Sequence, residues 1–249
     1  MKILLSPTKK MRADPDSLRW TALPQLLPQT ELLLRWLRSQ SAQTLQDLWN
    51  CNDTIAAQNL ERIRQMDLRQ GLSPAICSYE GLAFQHMAPT VFTDSELSYV
   101  QAHLRILSGF YGILRPLDGI TPYRLEMQAK AAVGGHPDLY SFWGRSLYDL
   151  LEPEDGVLLD LASQEYSKAI RPYLRPSDRF VTCTFCESVN GVLRQKGTFS
   201  KMARGEMVRY LAQIQAKGPE AATGFSALGY RFREELSTDT QLIFERSPA

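Results

Sequence analysis

Short apolar runs bounded by turn residues predict several buried strands. The first run covers Lys2–Leu5 and is ended by a Ser-Pro pair, and a second covers 156–161 with the sequence Gly-Val-Leu-Leu-Asp-Leu. The ranges 179–185 and 241–246 have the same character. Runs of this length that are rich in Val, Ile and Leu are typical of strands buried inside a sheet.

Apolar side chains that recur every three or four residues predict helices. Three such stripes follow the first strand, in the ranges 32–37, 45–49 and 55–63. A fourth stripe has the spacing i, i+3, i+4 and i+7, and is formed by Met207, Tyr210, Leu211 and Ile214. Each stripe gives its helix one apolar face to bury.

A capping box predicts where a further helix begins. Thr93 and Glu96 have the required spacing, so we expect a helix that runs to about Leu107, with Gly109 just past its end. Strands and helices are therefore interleaved irregularly along the chain. This order predicts an α/β or α+β fold in which helices surround a mixed β-sheet.

The composition is that of one compact globular domain. The chain has 249 residues, 44% of them hydrophobic, with no Gly/Ser linker and no repeat, so we expect a single domain over 1–249. The apolar run at the start is too short for a signal peptide, and no stretch approaches the roughly 20 apolar residues that cross a membrane. Four cysteines suggest no disulfide framework. We expect a cytoplasmic protein without membrane contact.

The charge balance restricts how the chain can bind a polyanion. Lys and Arg number 28 and Asp and Glu 27, which gives a formal net charge of +1. Dedicated nucleic-acid domains are usually strongly basic. Any binding to nucleic acid must therefore come from local clustering of cations.

The segment 198–205 is the first candidate for such a cluster. Ser200 has the properties of an N-cap, which would place Lys201 and Arg204 in the first turn of the helix that carries the fourth stripe. The helix dipole disfavours cations there by roughly 0.3–1 kcal/mol each. An anion held by free backbone N–H groups and both side chains would offset that cost, whereas a solvated helix face would simply tolerate it.

A second candidate cluster lies at the ends of two predicted strands. Ser163 follows the strand in 156–161 at a helix start, with Lys168 one turn later, and Lys9 follows the first strand. Ligands collect at the carboxyl ends of strands in folds of this kind. If the two strands are neighbours, Lys9, Ser163 and Lys168 would converge with Lys201 and Arg204.

The third candidate is the turn Gly109-x-x-Gly112. Glycines let a phosphate approach the backbone closely, and backbone N–H groups bind it without reading base sequence. Arg105, Arg115 and Arg124 lie nearby in the sequence. The same pattern is also common in turns that bind nothing.

Other reactive residues occur in patterns that are more typical of structural roles. Cys183 and Cys186 have the spacing of a redox or zinc motif, but they lie in a predicted strand, where residues three apart point to opposite faces. The histidines have no metal-ligand spacing. Aromatic residues at 140–143 could stack on bases but are more typical of a core. The sequence indicates no metal and no cofactor.

Several ordered motifs together resemble the bacterial YaaA family of peroxide stress proteins. The likeness runs nearly end to end. It rests on the following segments: Ser6-Pro7-Thr8-Lys9, the range 104–118, Pro122-Tyr123-Arg124-Leu125-Glu126-Met127, the ranges 139–143 and 161–166, and Lys201-Met202-Ala203-Arg204-Gly205. The family pattern usually has Lys where Met202 stands.

The resemblance implies a fold and a function. It implies a one-domain protein with a positively charged cleft and a helix-hairpin-helix element, to which 104–117 is the best match. It also implies binding to duplex and branched DNA without strong sequence preference, and a part in protection against hydrogen peroxide.

The sequence is compatible with three functions. In a DNA-binding stress protein, phosphates would contact Lys9, Arg105, Arg115, Arg124, Lys168, Lys201 and Arg204, with amides of Gly109 and Gly112 and the Ser163 helix start adding more. Alternatively, an enzyme would act on a phosphorylated or nucleotide-like small molecule at the same basic site. Glu165 among cations would then serve as general acid or base, with Ser163 and Lys201 beside it. The third is a redox-responsive adaptor that uses its cysteines.

Overall fold

A mixed β-sheet forms the centre of the computed structural model, which describes residues 1–151, 155–189 and 192–246. The strands of the main sheet are β1 (Lys2–Leu5), β3 (Leu104–Ser108), β4 (Gly112–Leu114), β6 (Val157–Asp160), β7 (Arg179–Val189), β8 (Val192–Arg194), β9 (Tyr230–Phe232) and β10 (Gln241–Arg246). Their order in the sheet is β4-β3-β1-β6-β7-β10-β9, with β8 paired to β7. A small second sheet pairs β2 (Ser73–Pro74) with β5 (Gly119–Ile120). The prediction of a mixed α/β fold is confirmed.

The central strands are parallel and buried, as their apolar sequences predict. β1 pairs in parallel with β3 on one side and with β6 on the other. β6 pairs in parallel with β7, and β7 with β10. Ile3, Leu4 and Leu5 are at most 1% exposed. All four strands predicted from apolar runs are confirmed.

The order of the strands creates a reversal point between β1 and β6. From β1 the chain moves to one side, where it forms β3 and β4, and then returns to form β6, β7 and β10 on the other side. Loops that leave the carboxyl ends of neighbouring strands diverge at such a point and leave a crevice between them.

Helices cover the sheet. They are α1 (Leu27–Ser39), α2 (Ala42–Trp49), α3 (Asp53–Gln65), α4 (Ala75–Ser78), α5 (Leu82–Met87), α6 (Asp94–His103), α7 (Leu139–Trp143), α8 (Ser146–Asp149), α9 (Gln164–Ser167) and α10 (Gly197–Gln213). The predicted helices α1, α2 and α3 are confirmed. Ser41 and Asn52 cap α2 and α3 through their side chains. Among the described helices, none has both the length and the apolar character needed to cross a bilayer.

α10 crosses α5 at very close range. A Cβ atom placed on Gly205 would lie only 1.9 Å from the carbonyl oxygen of Ala83. Only glycine allows the two backbones to approach this closely. The crossing fixes the turn of α10 that carries Lys201 and Arg204 against the start of α5.

The helix predicted from Thr93 is shorter than expected. The capping box is present, but α6 ends at His103 and the next residues form β3. Every residue of β3 is buried, and the strand pairs with β1 and with β4. Its apolar run therefore serves the sheet and not a helix face. Since 104–114 is a β-hairpin, the helix-hairpin-helix prediction for this segment is wrong.

α10 begins earlier than the sequence suggested. Its first residue is Gly197 and Lys196 stands at the N-cap position, so Lys201 and Arg204 lie in the second turn or later. Ser200 is buried, and its Oγ donates to the carbonyl oxygen of Phe185 at 3.0 Å. That hydroxyl joins the helix to β7 and does not cap it. The helix dipole therefore gives no reason to expect an anion beside Lys201 and Arg204.

Candidate functional site

A crevice of about 450 Å³ lies at the reversal point of the sheet. Its walls are the loop that follows β1, the loop that follows β6, the start of α5, the range 123–126 and one face of α10. Sites in open α/β sheets lie at this place because loops from neighbouring strands separate there. Four residues of the first and second clusters line this crevice together: Lys9, Ser163, Lys201 and Arg204.

Hydrogen bonds join the two loops at the base of the crevice. The backbone N–H of Ser163 donates to Ser6 Oγ at 2.8 Å, and Ser6 Oγ donates to Ser163 Oγ at 3.2 Å. The N–H of Leu161 donates to the carbonyl oxygen of Leu4 at 2.9 Å. The base of the crevice is therefore held by residues that lie 157 positions apart in the chain.

The exposed lysines of the crevice differ in their partners. Lys9 Nζ lies 2.8 Å from Glu126 Oε2, and Lys10 Nζ lies 3.2 Å from Glu80 Oε2. Lys201 is exposed and forms no ion pair among the described residues. Lys201 is therefore the lysine of this group with the most freedom to meet an external anion.

Arg204 lies deeper in the crevice. Its Nε is shielded from solvent and has no hydrogen-bond partner within the described part of the chain. Burial lowers the pKa of its guanidinium, while the carboxylate of Asp160 acts in the opposite direction. A shielded donor without a partner is costly, and an oxygen of a bound anion would remove that cost.

Asp160 lies beneath Arg204 at the end of β6. It is 1% exposed, and its carboxylate accepts from Ser167 Oγ at 2.7 Å and from the N–H of Ala162 at 3.0 Å. Burial raises the pKa of Asp160, and these hydrogen bonds oppose the rise. Asp160 thereby fixes the loop after β6 and supplies negative charge beneath Arg204.

Glu165 supplies a carboxyl group to the same crevice. Its Oε1 accepts from the N–H of Gln128 at 3.2 Å. Burial raises the pKa of Glu165, the neighbouring Glu126 raises it further, and Lys9 lowers it. The group thus takes up a proton at a higher pH than an ordinary glutamate, which suits it to proton transfer or to hydrogen-bond donation.

Two tyrosines form part of the apolar wall. The hydroxyl of Tyr123 lies 2.6 Å from Ser108 Oγ and 2.9 Å from the hydroxyl of Tyr79. Burial raises the pKa values of both Tyr123 and Tyr166, so their hydroxyls stay protonated. The rings present a neutral aromatic surface.

A second cavity of about 700 Å³, here called the polar chamber, adjoins the crevice. Four residues line both cavities and form their common wall: Ser163, Glu165, Lys201 and Arg204. The far side of the chamber carries Arg171, whose Nη2 lies 3.3 Å from Asp160 Oδ2 and donates to Thr182 Oγ1 at 2.9 Å. The two cavities are therefore parts of one site.

The predicted arginines near the glycine turn divide into two groups. Arg105 is buried and donates to the carbonyl oxygens of Leu104 at 2.7 Å and Gln101 at 3.3 Å, and Arg115 pairs with Asp118 at 2.9 Å. Neither lines the crevice. Arg124 does line it, although its guanidinium also donates to the carbonyl oxygen of Trp49 at 3.2 Å.

The glycine turn itself lies in the core. A Cβ on Gly109 would lie 2.4 Å from the carbonyl oxygen of Leu125, and one on Gly112 would lie 2.9 Å from side-chain carbons of Leu147 and Leu26. Protein atoms thus occupy the space that a phosphate would need on those sides. The glycines serve close packing and, at Gly112 with φ of 76°, a left-handed turn.

Lys168 and Cys186 line neither cavity, and Cys183 lines only the polar chamber. Lys168 Nζ lies 4.7 Å from the centre of the Tyr140 ring. Cys183 and Cys186 are buried in β7, and burial raises the pKa of both thiols. Protonated, buried thiols react slowly, which disfavours the redox adaptor.

Sequence reasoning missed several residues of the site. Ser6, which joins the two loops, was noted as the end of a strand and as part of a family motif, but not as a residue of the site. Glu126 pairs with Lys9 and lies 3.7 Å from Arg124, and Tyr123 belongs to the aromatic wall. The motif of 122–127 contained both, but its polar residues carried no spacing that points to a site.

Comparisons with known proteins give the family. A family model described as "Peroxide stress protein YaaA" matches residues 1–236. A UPF0246 protein from Agathobacter rectalis is 50% identical over 249 residues, and the match covers 100% of this chain and 100% of the relative. Another from Limosilactobacillus reuteri is 52% identical over 246 residues, covering 98% of this chain and 99% of the relative. The chain therefore belongs to the YaaA family of peroxide stress proteins.

Proposed function

We propose that this peroxide stress protein binds DNA through its phosphates at the crevice, without reading base sequence. One observation carries the proposal: Lys9, Arg124, Lys201 and Arg204 come from separate parts of the chain and line one crevice at the reversal point of the sheet. Cations gathered in this way supply a local attraction for phosphate that the net charge of +1 does not.

The balance of charge in the crevice favours an anion. Its lining residues include five cations and three carboxylates: Lys9, Lys10, Arg124, Lys201 and Arg204, against Glu80, Glu126 and Glu165. Glu80 and Glu126 are engaged with Lys10 and Lys9. Lys201 and Arg204 provide the excess positive charge. Phosphate contacts of this kind fix position and give no sequence preference.

The double substitution Lys201→Ala with Arg204→Ala tests this proposal. We expect weaker binding to duplex and branched DNA of every sequence, and a slope of log affinity against log salt that is smaller by about 2, since each phosphate contact contributes about 0.9. Fluorescence anisotropy over a range of salt concentrations measures both quantities.

A matched control removes the same amount of positive charge but leaves the crevice intact. Lys217→Ala with Arg231→Ala removes two exposed cations that line neither cavity, and should leave the slope unchanged. Equal slopes for the wild-type protein and a folded Lys201→Ala, Arg204→Ala variant would refute the proposal.

The properties of Glu165 support a second function. The protein would then be an enzyme that acts on a phosphorylated or nucleotide-like small molecule. A half-buried carboxyl with a raised pKa beside Lys201 and Ser163 is typical of a general acid or base. Incubation of the protein with nucleotides and phosphorylated metabolites should then give a product that Glu165→Gln does not form. Complete recovery of every substrate from the wild-type protein would exclude this function.

A further inference from the structure

The two cavities that share a wall differ in chemical character. The crevice has an apolar and aromatic interior, formed by Leu5, Leu82, Tyr123, Leu125, Leu161 and Tyr166. The polar chamber is lined largely by hydroxyl, amide and guanidinium groups, among them Thr182, Gln195 and Arg171. Lys201 and Arg204 stand between the two. A ligand that fills both cavities must combine an apolar part with a strongly polar or anionic part.

The size of the crevice excludes a duplex from its interior. A cavity of about 450 Å³ cannot hold a duplex, whose major groove alone is about 12 Å wide. The volume falls within the range of sites that enclose small ligands, about 300–1,000 Å³. A duplex must therefore lie across the rim, where Lys9, Lys10 and Lys201 are exposed, with only its phosphates reaching toward Arg204.

The interior suits an aromatic base. Nucleobases that leave the stack are held between aromatic or apolar side chains and are recognised by hydrogen bonds to their polar edge. Leu82 is partly exposed there, and Tyr123 and Tyr166, which are 5% and 6% exposed, add small patches of aromatic surface. Glu165 lies at the junction of the two cavities, and a protonated carboxyl there both donates and accepts hydrogen bonds, as the edge of a base requires.

We infer that the site binds one unpaired nucleotide unit, with its base in the apolar crevice and its phosphate at the wall formed by Lys201 and Arg204. The inference rests on the proposed function, because the same two cations take the phosphate. The nucleotide can be an unpaired residue of a DNA strand or a free nucleotide, and the chemistry that recognises it is the same. Arg204 Nε, which has no partner among the described residues, meets a phosphate oxygen in this arrangement.

The fluorescent base 2-aminopurine tests the inference in the full-length wild-type protein. It is supplied as a single-nucleotide bulge in a DNA duplex, as a paired base within a duplex, and as free 2-aminopurine riboside monophosphate. Quenching by acrylamide reports whether the base is open to solvent. We expect bound protein to lower the quenching constant of the bulged base, the free nucleotide or both by about threefold or more, and to leave that of the paired base unchanged.

The arms of the experiment separate the two sources. Shielding of the bulged base alone identifies a strand as the source, and shielding of the free nucleotide alone identifies a small molecule. An unchanged quenching constant in both arms, at protein concentrations that saturate DNA binding, overturns the inference but leaves phosphate binding standing. Shielding of the free nucleotide without DNA binding overturns the proposed function alone.

A variant that fills the crevice provides an independent measurement. Leu82→Trp adds bulk at the apolar wall without changing charge, and we expect about tenfold weaker binding to bulged DNA. The control is Val91→Trp, which adds the same side chain at an exposed position that lines neither cavity. If folded Leu82→Trp binds bulged DNA as the wild-type protein does, the crevice does not take the base.

Discussion

At the scale of single residues, the charge of Glu165 opposes anion binding. Its pKa is raised by burial and by Glu126, so as pH falls through that raised pKa the carboxylate is neutralised earlier than an ordinary glutamate. Below the raised pKa one negative charge has left the crevice, so the proposed binding of phosphate should be tighter. Above it the carboxylate should repel a phosphate held by Lys201 and Arg204, which line the same two cavities.

We therefore predict that Glu165→Gln binds DNA about threefold more tightly than the wild-type protein at pH 8, the effect of one partly screened charge. This advantage should vanish as pH falls below the pKa of Glu165, because both proteins are then neutral at this position. Anisotropy titrations from pH 4.5 to 8 measure the difference. Asp16→Asn, which removes an exposed carboxylate outside both cavities, is the control. A constant ratio between Glu165→Gln and wild type at every pH would contradict the prediction.

Residue types and their positions after strands indicated that five residues would converge if β1 and β6 were neighbours: Lys9, Ser163, Lys168, Lys201 and Arg204. The structure brings all of them except Lys168 to the crevice. The same reasoning overestimated Arg105 and Arg115. Sequence proximity to a glycine turn does not reveal that Arg115 pairs with Asp118, or that Arg105 donates to backbone carbonyl oxygens of its own segment. Such intramolecular partners depend on side-chain direction, which spacing alone does not give.

At the scale of secondary-structure elements, the site depends on how closely α10 crosses α5. Lys201 and Arg204 precede Gly205 on α10, and Leu82 and Ala83 of α5 face them across the crevice. A side chain at Gly205 would meet the backbone of Ala83, which cannot move as the end of a flexible side chain can. The helices would have to separate, and the wall of the crevice would move with them.

Gly205→Ala should accordingly destabilise the protein by about 3 kcal/mol, the upper part of the usual range for overpacking. For a chain of this size that corresponds to a fall in Tm of roughly 6–12 °C. Gly197→Ala is the matched control in the same helix, because no atom lies within 4 Å of a Cβ placed there. Thermal unfolding compares the two variants, and equal melting temperatures would show that the crossing tolerates a methyl group.

Elements were predictable where one signal dominated. Continuous apolar runs predicted β1, β6, β7 and β10, and the capping box predicted the start of α6. The end of α6 was not predictable in the same way, because the apolar residues of β3 fit a buried helix or a buried strand equally well. Ser200 has the properties of a cap but lies inside α10, since tertiary contact with Phe185 uses its hydroxyl.

At the scale of the whole molecule, the topology of the sheet decides where the site lies. The rule that ligands collect at the carboxyl ends of strands pointed to the edge of the sheet at which the crevice lies. That β1 and β6 are neighbours, with the chain reversing between them, is a long-range property that local patterns do not contain. The net charge of +1 likewise does not indicate a crevice lined by cations, because only the fold brings those side chains together.

The bond between Ser6 and Ser163 has a consequence for when the crevice assembles during synthesis. A ribosome releases the segment with Lys9 well before Ser163 and the helix with Lys201 and Arg204. A nascent chain that stops between them holds only one side of the crevice. If the crevice binds DNA as we propose, such a chain should not bind it there.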